Sequence, residues 1–261
     1  MTTERLRIKE FKIVDTHAHM CDHAFDNDRA EVLARAKSAG ICTIITVSEN
    51  LENVKRNIEL AEKYPELRPA AGLYPAFLDL SKAEELIFFI RRERPRLFAI
   101  GEVGLDFWVV KEEEKKTLQR EIFKRFVHLA CELDLPLNVH SRSAGRHAVA
   151  LLLEQGARKV QLHAFDGKAA AALPAVETGY FFSIPPSVVR SRQKQKLLKQ
   201  LPLSCLLIET DSPVLGASAK NRNEPANALI ALNAISQIKD ISKDEVYEVI
   251  SDNTRRLYGD I

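Results

Sequence analysis

Four imidazoles and two carboxylates, His17, His19, Glu102, His140, His163 and Asp211, stand at the C-terminal ends of five separate apolar runs. Neutral imidazole and carboxylate are the donors expected for zinc or for a harder divalent ion such as Mg²⁺ or Mn²⁺. His17 and His19 are two residues apart, and an extended strand repeats its facing every second residue, so both rings project the same way. Six ligands are too many for one tetrahedral catalytic ion that must keep an open position. They suit two divalent ions sharing a carboxylate, about 3.5–4 Å apart with a water between them. The expected division puts His17, His19 and Asp211 on one ion, His140 and His163 on the other, and Glu102 across both. Near neutral pH a water so held becomes a nucleophile, and Asp211 is placed to accept its proton. Taken alone, His17, His140 or His163 reads better as a satisfied core histidine. The His-x-His pair with four matching strand ends reads as a metal site. His23, His128 and His147 do not fit the pattern.

Side chains this far apart in sequence meet only if the fold gathers strand ends. Strand-like runs at 13–19, 42–48, 68–73, 97–105, 136–141, 159–165, 179–184 and 205–210 alternate with helix-like stretches near 28–39, 50–63, 81–93, 112–133, 144–155, 168–177, 187–199 and 226–237. A terminal helix is expected over 243–257. Several strands are nearly continuous apolar runs, as parallel strands buried on both faces are. Eight alternations without a Gly/Ser linker predict an α/β fold of one (β/α)8 TIM barrel, with residues 1–261 as a single metal-dependent hydrolase domain. The alternative is a doubly wound open sheet, whose single switch point would not easily collect the ends of strands one, four, five, six and eight.

A length of 261 residues falls in the range of a one-domain barrel, and 46% hydrophobic with 28% charged residues excludes a disordered chain. A net charge of +2 neither demands nor excludes a polyanionic partner. Cys21, Cys42, Cys131 and Cys205 form no CxxC pair, which argues for a reducing compartment; Cys42 and Cys205 read as small core residues. The stretch from Met1 to Phe11 is charged and has no apolar signal core, and no run approaches the ~20 apolar residues of a membrane helix. The expectation is a cytoplasmic or nuclear protein with no membrane association and no obligate protein partner.

The segments Asp15-Thr-His17-Ala-His19, Gly101-Glu-Val-Gly-Leu-Asp106, Asn138-Val-His-Ser-Arg142, Leu162-His-Ala-Phe-Asp-Gly167, Ile208-Glu-Thr-Asp-Ser-Pro213, Arg222-Asn-Glu-Pro225 and Asn253-Thr-Arg-Arg-Leu257 resemble the TatD-related deoxyribonuclease family. The resemblance covers essentially the whole chain in order and spacing. Residues 138–146 and 180–186, followed by 193–196, are closer still to its TatD DNase domain-containing protein 3 branch. The resemblance implies a TIM-barrel hydrolase with a two-metal centre and metal-dependent, often exonucleolytic, DNase activity. It matches the six ligand positions one for one. Where many relatives carry histidine after the third strand this chain has Tyr74, and where relatives commonly carry cysteine it has Ala18 and Ala164.

A phosphodiester needs cationic donors above the metals. Arg142, two residues past His140, should lie in reach of such a phosphate, and the helix opening behind it favours anions. Arg222 is a weaker candidate, and Trp108 could stack an exposed base as readily as pack on the barrel rim. The five basic residues from Arg190 to Lys199 could face a nucleic-acid strand, although a solvated face is the commoner outcome. Asp15 shares strand parity with His17 and His19, and Glu209 with Asp211, so both point into the barrel if their strands are regular; these two and Asp106 are expected to orient ligand histidines or to form structural ion pairs. The leading expectation is cleavage of DNA, or another phosphodiester, by a metal-activated water. The alternatives are a small amide, ester or lactone at the same centre, or a barrel that has lost catalysis.

Overall fold

Each strand-like run forms a strand and each amphipathic stretch a helix in the computed structural model, which describes residues 11–261. Residues 1–10 of the charged N-terminal stretch lie outside that description. The strands are β1 (Ile13–Ala18), β2 (Ile41–Thr46), β3 (Leu67–Ala71), β4 (Ala99–Gly104), β5 (Leu137–His140), β6 (Val160–Leu162), β7 (Phe181–Ile184) and β8 (Leu206–Ile208). They pair in parallel and in chain order, each with the next. Intervening helices are α1 (Arg29–Ser38), α2 (Leu51–Lys63), α3 (Leu80–Glu93), α4 (Glu113–Leu133), α5 (Gly145–Glu154), α6 (Ala169–Glu177) and α7 (Arg192–Gln200). After β8 come α8 (Ala228–Lys239) and α9 (Lys243–Tyr258). Among the described residues no helix is long and apolar enough to cross a membrane.

The seam between β8 and β1 closes through residues near and past the strand ends. Asp211 N donates to His17 O at 2.8 Å, His19 N to Ser212 O at 2.8 Å, and Thr16 Oγ1 to Ile208 O at 2.9 Å. Closure removes the open edge and arranges the C-terminal strand ends in a ring, so the architecture is a TIM barrel.

Between sheet and helices the packing is apolar: Ile122, Phe126 and Leu129 repeat along one face of α4 and are buried. Inside the barrel it is polar. Asn138 Nδ2 donates to Thr16 O at 2.9 Å and to Tyr258 Oη at 3.3 Å. The Tyr258 hydroxyl donates to Gln161 Oε1 at 2.7 Å, Gln161 Nε2 to Ser183 Oγ at 2.8 Å, and Ser183 Oγ to Glu209 Oε2 at 2.6 Å. Buried polar groups are tolerable when partnered in this way. Two glycines let backbones meet under the site. A Cβ on Gly104, at φ 144°, would lie 2.1 Å from His140 O, and one on Gly72 2.3 Å from Glu102 O.

Four expectations need correction. β6 stops at Leu162 and β8 at Ile208, because Ala164 (φ 41°) and Asp211 (φ 54°) turn into the left-handed region. The helix expected from 187 begins at Arg192. Pro185 and Pro186 lead instead into a 3-10 turn, Pro186–Val189, and Ser191 caps α7 by accepting from Lys194 N. Cys205 is buried, but Cys42, near the start of β2, is exposed.

Candidate metal centre

β1 supplies His17 within the strand and His19 just past its end; β4 supplies Glu102, and β5 ends on His140. His163 and Asp211 lie in the turns after β6 and β8. All six side chains converge. On one side His17 Nε2 and His19 Nε2 are 3.3 Å apart, and Asp211 Oδ1 lies 3.4 Å from the former and 3.3 Å from the latter. Glu102 Oε2 faces this group, 3.5 Å from His19 Nε2. Glu102 Oε1 faces the other, 2.5 Å from His140 Nδ1 and 3.0 Å from His163 Nε2, which are 3.1 Å from each other. His163 also groups with His17 and Asp211, a proximity the expected division did not include.

Electrostatics test whether this cluster fits a cation. Burial alone would push His17 down, but Asp211 and Glu102 outweigh it and raise the ring to about 10. His140 is likewise pushed up to about 9, against burial, by Glu102 and Asp106. Burial would raise Glu102 and Asp211, yet the surrounding histidines hold both below the usual carboxylate range. Burial, reinforced by His17, pushes His163 down to about 4. Ionised carboxylates are drawing protons into a buried nest of imidazoles. A divalent cation would bring the same charge and take the nitrogen lone pairs, so this donor set fits a metal centre.

The ring nitrogens are oriented accordingly. Asn138 uses its Nδ2 on Thr16 O, which turns Oδ1 toward His17 Nδ1 at 2.8 Å. Nδ1 then carries the hydrogen, and the Nε2 lone pair faces the cluster. Asp106 Oδ2 accepts from His140 Nε2 at 3.1 Å, which directs Nδ1 inward. That carboxylate also accepts the Tyr74 hydroxyl at 2.8 Å and the Trp108 and Val109 amides at 2.9 Å each, interactions that bring it down to about 2 against its burial. Asp106 therefore sits where a histidine-orienting group was expected, and Asp15 does not. Asp15 accepts from Thr210 N at 2.8 Å and Thr210 Oγ1 at 2.5 Å, tying β1 to the turn after β8. Glu209 accepts from Ala164 N at 2.8 Å and approaches His163 Nδ1 only to 3.9 Å, leaving that buried nitrogen without a hydrogen-bond partner. The strand-parity argument for Glu209 and Asp211 fails because the strand ends before both. The left-handed turn at Asp211, a conformation aspartate tolerates better than most residues, aims its carboxylate.

Above the cluster opens a cavity of about 610 Å³, walled further by Glu49, Tyr74, Arg142 and Lys194. Arg142 lies at the cavity and places its guanidinium 5.2 Å from the Trp108 ring, which is 58% exposed. Arg222 is not brought there. Its guanidinium is engaged by Asp28 at 2.8 and 2.5 Å and stacks 4.9 Å from Phe25, so it braces the segment after β8 against the start of α1. His23 pairs with Asp26 at the surface, His128 with Gln155, and His147 packs on Phe107. Sequence reasoning missed Asn138, Tyr74 as a partner of Asp106, and the inward turn of Lys194. Asn138 carried a usable signal: it shares strand parity with His140.

The model of the family described as TatD related DNase matches residues 14–259. A putative deoxyribonuclease TATDN3 from Mus musculus is 45% identical over 94% of this chain and 88% of its own length. The deoxyribonuclease TATDN3 of Homo sapiens is 44% identical over 94% of each. Among solved structures, YJJV, a TATD homolog from Escherichia coli, superposes with a TM-score of 0.88 at 27% identity, covering 96% of this chain and 99% of that one.

Proposed function

The chain belongs to the TatD-related DNase family of metal-dependent hydrolases, and from that premise we propose that it hydrolyses phosphodiester bonds of DNA from a strand end. The observation that carries the reading is the splayed Glu102 carboxylate, whose two oxygens face two different sets of imidazoles at the floor of one cavity. In this proposal His17, His19 and Asp211 hold one divalent ion, His140 and His163 a second, and Glu102 both. Zinc, magnesium and manganese all suit these donors. When bound, such ions supply Lewis acidity toward the phosphoryl group and an activated water.

The chain's own residues do the rest. Asp211, already held ionised, accepts the water's proton at a carboxylate oxygen. Asn138 and Asp106 keep the His17 and His140 rings turned for ligation. Arg142 offers N–H donors to a non-bridging phosphate oxygen from the cavity wall. Trp108, exposed at the rim beside Arg142, offers a face to an unpaired base. A cavity of about 610 Å³ is of the size that takes a small ligand such as a terminal nucleotide, which supports attack at an end.

Metal analysis of the purified protein, paired with cleavage of end-labelled oligonucleotides by wild type and Glu102→Ala, tests the reading. Metal-dependent release of terminal nucleotides by wild type alone is expected. Turnover of an amide, ester or lactone panel with none of DNA would overturn it.

A further inference from the structure

Five basic residues run from Arg190 to Lys199, and among them Lys194 is the one that lines the metal cavity. Arg190 is used on Gly216 O at 3.0 Å, while Arg192, Lys196 and Lys199 are exposed. Lys194 sits in the first turn of α7, where the Ser191 cap accepts its backbone hydrogen at 3.3 Å. That cap fixes the backbone from which the side chain reaches back over the end of β6. Its ammonium donates to Ala164 O at 2.7 Å, one residue beyond His163.

Among the described residues that carbonyl is its one acceptor, and no carboxylate lies within the 4.0 Å of an ion pair. An ammonium carries three donors and accepts nothing, so two N–H groups remain to be satisfied. Burial pushes its pKa down, opposed by the more distant Glu209, Asp166 and Asp211. A half-buried cation with no ion-pair partner is better satisfied when an anion joins it. Arg142 stands past β5 and Lys194 past β7, with His163 after β6 between them. Arg142 and Lys194 therefore put a cation on either side of that metal ligand, in a cavity that Glu49 and Asp166 also line.

We propose that Lys194 is a specificity-determining residue that takes a phosphate oxygen of the substrate on the β7 side of the cluster, so that the site selects an anionic phosphodiester over a neutral ester or amide. The assignment rests on the reading of the cavity as a DNA-hydrolysing site. A neutral carbonyl substrate would offer no anion to satisfy the remaining donors.

Metal-loaded wild type, Lys194→Met and Lys194→Arg are compared on an end-labelled single-stranded oligonucleotide. Loss of a hydrogen bond from a charged donor should raise the KM of Lys194→Met about tenfold to hundredfold, with kcat changed far less. The slope of log(1/KM) against log salt should fall in magnitude by about 0.7, the increment for one phosphate contact on a single strand. Lys194→Arg should recover part of both. Bound metal and melting temperature should match wild type. A purely structural lysine would instead lower metal content and kcat and leave the salt slope alone. A KM within about twofold of wild type, or an unchanged slope, overturns the proposal.

Inorganic phosphate, titrated calorimetrically into metal-loaded protein, separates this proposal from the reading beneath it. It should bind Lys194→Met about tenfold more weakly than wild type. If it does and wild type cleaves no DNA, the phosphate role stands and only the DNA reading falls. Equal phosphate affinity in the wild type and both variants overturns the role of Lys194 even if DNA is cleaved.

Discussion

The two halves of the donor cluster are braced from opposite directions. His17 is held from inside the barrel by Asn138, a neutral amide that also bonds Thr16 and Tyr258, the latter reaching in from the end of α9. His140 is held from the loop after β4 by Asp106, an ionised carboxylate that shares an oxygen with Tyr74 on the cavity wall. A neutral brace suits a sealed interior, where an unpaired charge would be costly. A carboxylate brace makes its imidazole a more basic ligand, and Asp106, itself fully buried, is kept ionised by the Tyr74 hydroxyl and two backbone amides that donate to it. The β1 half is thus tied to the folding of the barrel, whereas the β5 half is tied to the loops beside the cavity.

Removing the one carboxylate that both halves share should have the largest effect: Glu102→Ala is expected to bring metal-dependent hydrolysis down to background while circular dichroism stays native. Folded protein that still hydrolyses DNA at the wild-type rate would dissolve the two-sided picture. Next come the braces. Asn138→Ala and Asp106→Asn should each weaken binding of one ion about 10- to 100-fold by metal titration. Asn138→Ala should also lower stability by about 1–3 kcal/mol, because its loss leaves buried barrel groups unpaired. A chain of this size would show that as a melting temperature lower by several degrees, about 2–4 °C per kcal/mol. Equal melting temperatures for the two variants would erase the contrast between halves.

Without metal the halves should share one pH signature. The folded values of His17, about 10, and His140, about 9, lie above the ordinary 6.5. Their stabilising contribution is then full below about 6.5 and lost as pH rises through 9 to 10. Metal-free protein is expected to melt progressively lower across that window, and metal-loaded protein to be much less affected, by calorimetric scans at each pH. Tyr74→Phe removes one hydrogen bond from Asp106 and should cost about 1 kcal/mol, less than tenfold in activity. Smallest is Arg222→Ala. Its ion pair with Asp28 is partly exposed, so a stability change of about 0–1 kcal/mol and kcat/KM close to wild type are expected.

Much of this was legible beforehand, for identifiable reasons. Eight strands and their helices follow from hydrophobic periodicity, and the six donors follow from residue type at strand ends. What misled was backbone that leaves its pattern. Ala164 and Asp211 adopt positive φ, so strands six and eight stop short, and the facing inferred for Glu209 and Asp211 by alternation does not apply. Asp15 does point into the barrel, but alternation along one strand says nothing about the partner it meets, which is Thr210 rather than a histidine. Within the basic run composition cannot separate Lys194 from Lys196. The Ser191 cap and the start of α7 decide which one turns inward.

By itself the amino-acid order determined which atoms can ligate a metal and on which strands they ride, because donor chemistry and local periodicity belong to single residues and short windows. Tertiary closure decided how those atoms are held. The partner of His17 is 121 positions away, and His140 meets Asp106 across 34. Such pairings depend on the register in which eight strands close and on where each turn departs from regular backbone. A hydrogen bond is lost over about an ångström of displacement, so orientation of the rings, the braces and Lys194 could be set only by the assembled barrel.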